Sequence, residues 1–401
     1  MTPSRASLGG LDWLNFFVAN VQTGFGPFIA VSLAARAWTQ LEIGQALSLG
    51  TVVALVSQLP AGAMIDRLRD KRMAAAAAGV VVAISAMLFA ATPSHAGVFL
   101  AEALHSLTSA MLAPAMATIS LALVGRAVLG ARLGRNARFA SLGSGIATAV
   151  MGACGAYISN QAVFWLTAAL MIPALIALRT VRICDLGECK VTTRAKRPDR
   201  GRLRRDLREL LTDGRVLGFA LCVALFHLAN TAMLPLAATE ITRQTGSRAN
   251  LVVAACIIVP QMVVAAVSPR IGRIADQRGH GIVLLAGFAA LPVRALLLAI
   301  AGSPWSLIAI QVLDGISAAV FGIMLPLVAA DLTVGTTRFN LCLGLMGLAV
   351  AAGATLSTLL AGFVADMFGQ PAAFVVLACC GAMAMLAVPR MGQVSKCGVA
   401  A

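Results

Sequence analysis

Gly62–Arg72 reads GAMIDRLRDKR, and a weaker copy, GRIADQRGHG, stands at Gly272–Gly281. Each stretch closes a long apolar segment. Both place Gly first and Asp four residues later, at Asp66 and Asp276, and both then turn basic. A motif repeated about 210 residues apart, at a helix end each time, marks a chain built from two homologous halves in one membrane.

The composition around these two loops agrees. The chain is 59% hydrophobic with a mean hydropathy of +0.89, and only 12% of its residues are charged. Almost no soluble domain could hide that much apolar surface. Stretches of the roughly 20 apolar residues needed to cross a bilayer run over 11–34, 42–65, 73–92, 97–123, 139–159 and 162–183. They resume at 215–240, 249–271, 281–301, 304–330, 339–365 and 371–390. The expected fold is an all-α membrane protein of twelve transmembrane helices in two pseudo-symmetric six-helix halves. Residues 1–183 form the first half and 215–390 the second, joined by a basic cytoplasmic linker at 184–214 and followed by a cytoplasmic tail at 391–401.

The net charge of +15 invites a nucleic-acid partner, but its placement argues against one. With the N-terminus inside, all but four of the 31 Lys and Arg fall in the termini, the inward loops or the span ends beside them. Arg36, Arg243 and Arg248 fall outside, and Arg294 falls within a span. Basic residues held on one side orient a membrane protein. Both termini are therefore expected in the cytoplasm of a multi-pass protein of the cell's inner membrane, with the lipid bilayer as partner and no nucleic acid. Arg5 precedes an apolar run too long for a cleavable signal, with Asn20 and Gln22 inside it. The linker segment Arg202–Leu211 reads either as an amphipathic helix on anionic lipid or as a solvated tether. Of the nine cysteines, Cys184 and Cys189 lie in that linker, too far apart for a CxxC site and in a reducing compartment. No metal or cofactor is expected.

Other positions repeat in the same order. Gln22, Thr23 and Pro27 of span one match Asn230, Thr231 and Pro235 of span seven. Arg138 and Phe139 open span five as Arg338 and Phe339 open span eleven. Glycines nine apart follow each, Gly143 with Gly152 and Gly344 with Gly353. Small residues so spaced let helices approach closely in lipid. On these residues the chain resembles the major facilitator superfamily of secondary transporters over essentially its whole length. The superfamily's loop signature after span two is matched by Gly62, Asp66, Arg67, Lys71 and Arg72. Arg69 stands where a second Gly is usual and Asp70 where a basic residue is usual. The glycines of span five also resemble the superfamily's antiporter signature, although Ala156 and Tyr157 follow Gly155 in place of its Gly-Pro step.

A carboxylate beside a helix N-terminus is favoured by the partial positive charge there. Asp66, at the cytoplasmic end of span two, is expected to meet the start of span eleven near Arg338. By the repeat, Asp276 meets the start of span five near Arg138. Gly62, Asp66, Arg67, Lys71 and Arg72, with Gly272, Asp276 and Arg278, are thus gating candidates. They would form two latches that hold while the cavity faces outward. The competing reading is that these charges only set topology.

Ionisable groups at membrane depth are costly and usually functional. Glu102 and His105 lie three residues apart on span four and share one face, with Ser106 and Ser109 extending it. Asp314 on span ten falls where the repeat places His105. These three are the candidates for proton coupling, since a carboxylate beside an imidazole can pass a proton near neutral pH. Arg294 and Asp314 can alternatively neutralise each other across neighbouring helices. The resemblance implies that spans one, four, seven and ten line a central cavity, which makes Asn20, Gln22, His227 and Asn230 candidates for substrate contact, with Arg294 as an anion contact. Asp12 and Glu240, near span ends, are expected to be solvated at the interface.

The resulting expectation is a secondary transporter that moves a small organic solute by alternating access. Coupling to protons is expected, and export by antiport is set slightly ahead of import. The alternatives are a proton symporter importing an organic acid and a transporter-like membrane sensor. An enzyme is not expected, because neither HExxH nor GxSxG occurs, and no phosphate-binding GxxxxGKS or GxxxxGKT loop is present for ATP.

Overall fold

The computed structural model describes residues 3–25, 27–68, 70–92, 94–182, 200–237 and 249–395. Among these residues there are helices and no strands. In chain order they are α1 (Arg5–Gly24), α2 (Pro27–Ala35), α3 (Gln40–Arg67), α4 (Lys71–Ala91), α5 (His95–Val124), α6 (Leu129–Tyr157) and α7 (Asn160–Thr180). There follow α8 (Arg200–Thr212), α9 (Gly214–Asn230), α10 (Ala249–Arg278), α11 (His280–Ile300), α12 (Pro304–Leu332), α13 (Phe339–Phe368) and α14 (Gln370–Ser395).

Eleven of the described helices are long and apolar enough to cross a membrane. The twelfth crossing is α1 with α2, expected as one span over 11–34 but broken between Gly24 and Pro27. Its polar residues Asp12, Asn15, Asn20 and Gln22 explain why hydropathy alone undercounts it. Proline has no N–H, and its ring clashes with the carbonyl four residues earlier, so Pro27 starts a new helix instead of extending α1. The second half breaks at the equivalent place. α9 ends at Asn230, residues 231 and 232 turn, and helix resumes at Met233 ahead of Pro235. The amide N–H of Ala232 finds its acceptor across the packing, in the Ser357 hydroxyl at 3.1 Å.

The chain forms two compact units, Met1–Arg200 with Gly335–Gly344, and Gly201–Val334 with Leu345–Ala401. In the first unit α1 packs on α6 and α7, α4 on α5 and α7, and α3 on α5. The second unit packs α9 on α14, α11 on α12 and α14, and α10 on α12. Four of these pairings are the same pairing one repeat apart. The glycines divide unequally. A Cβ at Gly143 would overlap the Phe16 carbonyl of α1, and one at Gly353 the Ala224 carbonyl of α9, while Gly152 has nothing within 4 Å. Close helix approach in lipid therefore rests on one glycine of the first pair.

Candidate functional site

The GAMIDRLRDKR stretch ends one helix and begins the next. Extended backbone at Leu68 (ψ 134°) stops α3, which leaves its last carbonyls without helical partners. Lys71 Nζ donates to the Ile65 carbonyl and, at 2.5 Å, to the Leu68 carbonyl. Asp70 accepts from the amides of Arg72 (2.9 Å) and Met73 (3.1 Å) as the N-cap of α4. A basic side chain at position 70 has no acceptor and could not supply that cap. Arg69 lies outside the described residues.

Within the same unit, the Asp66 carboxylate caps the first turn of α13. One oxygen accepts from the Asn340 amide (3.0 Å) and side-chain nitrogen (2.7 Å), the other from the Leu341 amide at 2.9 Å. The expected position is met, but the partners are helix amides and Asn340 in place of Arg338. Asn340 is 1% exposed, and its side-chain oxygen takes a hydrogen bond from Thr118 Oγ1 of α5 at 2.7 Å. A Cβ at Gly62 would overlap the Asn340 carbonyl, so only glycine lets α3 come this close. Sequence reading missed Asn340, although it directly follows the Arg338–Phe339 pair. In the second copy Gly272 is buried, Asp276 half-buried and Arg278 exposed. That copy turns at Gly279 with φ 83°, a left-handed conformation that favours glycine, and His280 then pairs with Asp331 at 3.1 Å.

A second group of candidates meets within the first unit. Glu102, His105 and Ser106 of α5 are all buried. Glu102 accepts from Ser106, its side chain lies against Gly50 of α3, and its Oε2 has no hydrogen-bond partner among the described residues. His105 turns the other way. Its ring stacks on Phe25 with centroids 3.8 Å apart, its Nε2 lies 3.3 Å from Ser109 Oγ, and its Nδ1 is unpartnered among the described residues. Ser109 in turn donates to Gln22 Oε1 of α1 at 3.1 Å. Glu102 and His105 therefore share a helix but make no ion pair. Asn20 donates to the Phe16 carbonyl of its own helix at 2.8 Å and is buried against Gly143.

The third group lies within the second unit. Arg294 of α11, 1% exposed, donates through Nη1 to Asp314 Oδ1 (2.5 Å) and Asn230 Oδ1 (2.7 Å). Through Nη2 it donates to Gln311 Oε1 of α12 at 2.8 Å. The neutralising pair foreseen for Arg294 and Asp314 is present, and Asn230 and Gln311 also accept from the guanidinium. His227, one turn before Asn230, packs edge-to-face with Phe321 at a centroid separation of 4.8 Å, its Nε2 unpartnered among the described residues.

One expectation is corrected. Asp12 is not solvated at an interface but 2% exposed, bridging Arg132 at 2.5 Å and Arg135 at 2.7 Å of α6. Arg132 also donates to Asn136 Oδ1 (2.7 Å), and Asn136 to Ser120 Oγ of α5 (2.7 Å), so one network ties three helices. A lone Asp beside a span end reads as headgroup-facing, and its partners lie far away in sequence. Glu240 lies outside the described residues.

Residues 11–228 match the model of the Major Facilitator Superfamily. A Mycobacterium tuberculosis protein named as an uncharacterized MFS-type transporter is 34% identical over 380 residues, covering 92% of this chain and 88% of its own. Among solved structures, the Escherichia coli fucose:proton symporter is similar with a TM-score of 0.73 at 15% identity, covering 96% of this chain and 98% of that one. A human organic anion transporter gives 0.71 at 15% identity, covering 97% and 100%. A nucleoside transporter gives 0.64 at 15% identity, with the same coverage.

Proposed function

Because the chain belongs to the Major Facilitator Superfamily and is a multi-pass membrane transporter rather than an enzyme, we propose that it is a secondary active transporter. It moves a small organic solute across the plasma membrane by alternating access and couples that movement to protons. Both termini are placed in the cytoplasm in this reading, which the placement of basic residues supports. The observation that carries the reading is a pair of buried polar clusters, around His105 and around Arg294, set in helices that are otherwise apolar. Charged and unpartnered groups at that depth are costly to keep and are retained where solute or protons pass.

Glu102 and Asp314 are the proton carriers, and His105 relays between Glu102's helix and α1. Gln22, Asn230 and Arg294 contact the solute, and His227 lies beside them. Asn20 serves the α1–α6 packing instead, since its amide is bound within its own helix. Asp66 is the latch. Its carboxylate is held by helix-terminal amides through charge-assisted hydrogen bonds, which are strong but reversible. Gly62 gives it access, Lys71 fixes the helix end that carries it, and Asp276 is assigned the matching role in the second copy. The glycine pattern that pointed to export has Gly143 against α1 and Gly152 in open space, so it gives export no separate support. A proton symporter for an organic acid is the second reading, favoured by the buried Arg294.

Purified full-length chain in proteoliposomes tests the proposal. Counterflow of a labelled solute is expected, with net movement driven by an imposed pH gradient whose polarity gives the direction. No counterflow across a broad solute panel would assign the chain to sensing. Concentrative movement that survives collapse of the gradient would remove the proton.

A further inference from the structure

The Arg294 cluster has more donors than acceptors. Arg294 gives Nη1 to Asp314 and Asn230 and Nη2 to Gln311, yet its Nε finds no acceptor among the described residues, and neither does Gln311 Nε2. The two side chains are 1% and 0% exposed. Buried donors of this kind are expected to have partners, and two unmet ones side by side in the sequence of contacts mark a place where an acceptor arrives from outside. Asp314 is the open member of the cluster, with 19% of its side chain exposed.

Charge decides what can arrive. Arg294 and Asp314 together are neutral. Adding an anion would leave an uncompensated negative charge in a low-dielectric surround, which is strongly disfavoured. One proton restores neutrality, and the Asp314 carboxylate is placed to take it.

We propose that Arg294 and Gln311 anchor the carboxylate of an anionic solute, and that Asp314 is an internal stand-in for that carboxylate. On binding, Asp314 gains a proton and becomes a neutral acid, the solute carboxylate takes its place on Arg294, and the charge of the cluster does not change. One proton accompanies one monoanion, so transport is electroneutral. This rests on the reading of the chain as a proton-coupled transporter and names its solute class. The other titratable groups on packed helices are Cys256 of α10, which interacts with Arg294, Cys222 and His227 of α9, and Cys379 and Cys380 of α14. The charges of α10, namely Arg270, Arg273, Asp276 and Arg278, all lie in its last turns, Arg215 begins α9, and His280 and Asp331 pair at the start of α11 and the end of α12.

The test is thermal unfolding of the purified full chain with formate, acetate or benzoate, against formamide, acetamide or benzamide. Asp314→Asn removes the stand-in, so the carboxylates should raise its unfolding temperature saturably by a few degrees while the amides do not. The Arg294→Gln/Asp314→Asn double variant should lose that response. A carboxylate effect on Asp314→Asn no larger than on the parent or on the double variant overturns the proposal. Should Asp314→Asn not fold, the parent decides. Benzoate should stabilise it more at about pH 5.5 than at about pH 7.5, since carboxylates protonate toward the lower value, and Arg294→Gln should abolish the difference. A pH-independent shift, or one that persists in Arg294→Gln, overturns it equally. Counterflow of a neutral solute by a chain that fails these tests would sink this inference and leave the transport reading standing.

Discussion

The polar cluster of the first unit and that of the second stand on repeat-related helices yet lack opposite things. Around α5, Glu102 Oε2 is an acceptor without a donor, and His105 Nδ1 is unpartnered beside it on the helix. Around α12, the repeat counterpart of α5, and its neighbour α11, Gln311 Nε2 and Arg294 Nε are donors without an acceptor among the described residues. The first leaves an acceptor open and the second leaves donors open. Duplication supplied the same helices to both units, and side-chain choice then gave each a different unmet need.

The sharpest way to break this comparison is to remove Arg294. Arg294→Ala leaves Asp314 ionised with its partner gone, which should cost about 3–5 kcal/mol, read as a fall in unfolding free energy in detergent. An apolar replacement of both, Arg294→Met with Asp314→Leu, should recover most of that stability while abolishing transport. Equal loss in both variants would mean that the pair is not the unit that matters. Asp66→Asn comes next. It removes the charge from three hydrogen bonds at the start of α13, a loss of about 1–3 kcal/mol, and should slow counterflow while leaving membrane insertion unchanged. An unaltered rate would reduce the loop to topology. Overfilling the packing is expected to cost a similar amount at one site only. Gly143→Ala should destabilise by about 1–3 kcal/mol and Gly152→Ala by under about 0.5 kcal/mol. Glu102→Gln should also change stability little, within about 1 kcal/mol, because the new amide oxygen can still accept from Ser106. The same variant should lose dependence on the pH gradient, and a retained dependence would move the proton role to Asp314 alone.

The fold was legible because a span needs only length and apolarity, and because the two loops announce the repeat. The break at Pro27 was less so. Its polar neighbours read as span interior, whereas the helix stops where the proline ring would meet the Thr23 carbonyl. Arg294 and Asp314 could be paired in advance, since a buried charge in lipid must find its opposite. Gln311, three residues before Asp314 on the same helix, was visible by spacing and was overlooked. Glu102 and His105 share a helix as expected but make no ion pair, for a geometric reason. Residues three apart on a helix diverge by about 60° around its axis, enough for one to reach Gly50 of α3 and the other Phe25 after α1. Asp12 failed for distance along the chain, because no local pattern connects it to Arg132 and Arg135.

The caps flanking the first loop have a mechanical consequence. Lys71 belongs to α4 yet grips the terminal carbonyls of α3, while Asp70 grips the leading amides of α4. The joint has little slack to absorb a tilt. Once Asp66 lets go of Asn340, a swing of α3 should be handed straight to α4, so the two helices would travel as a single lever.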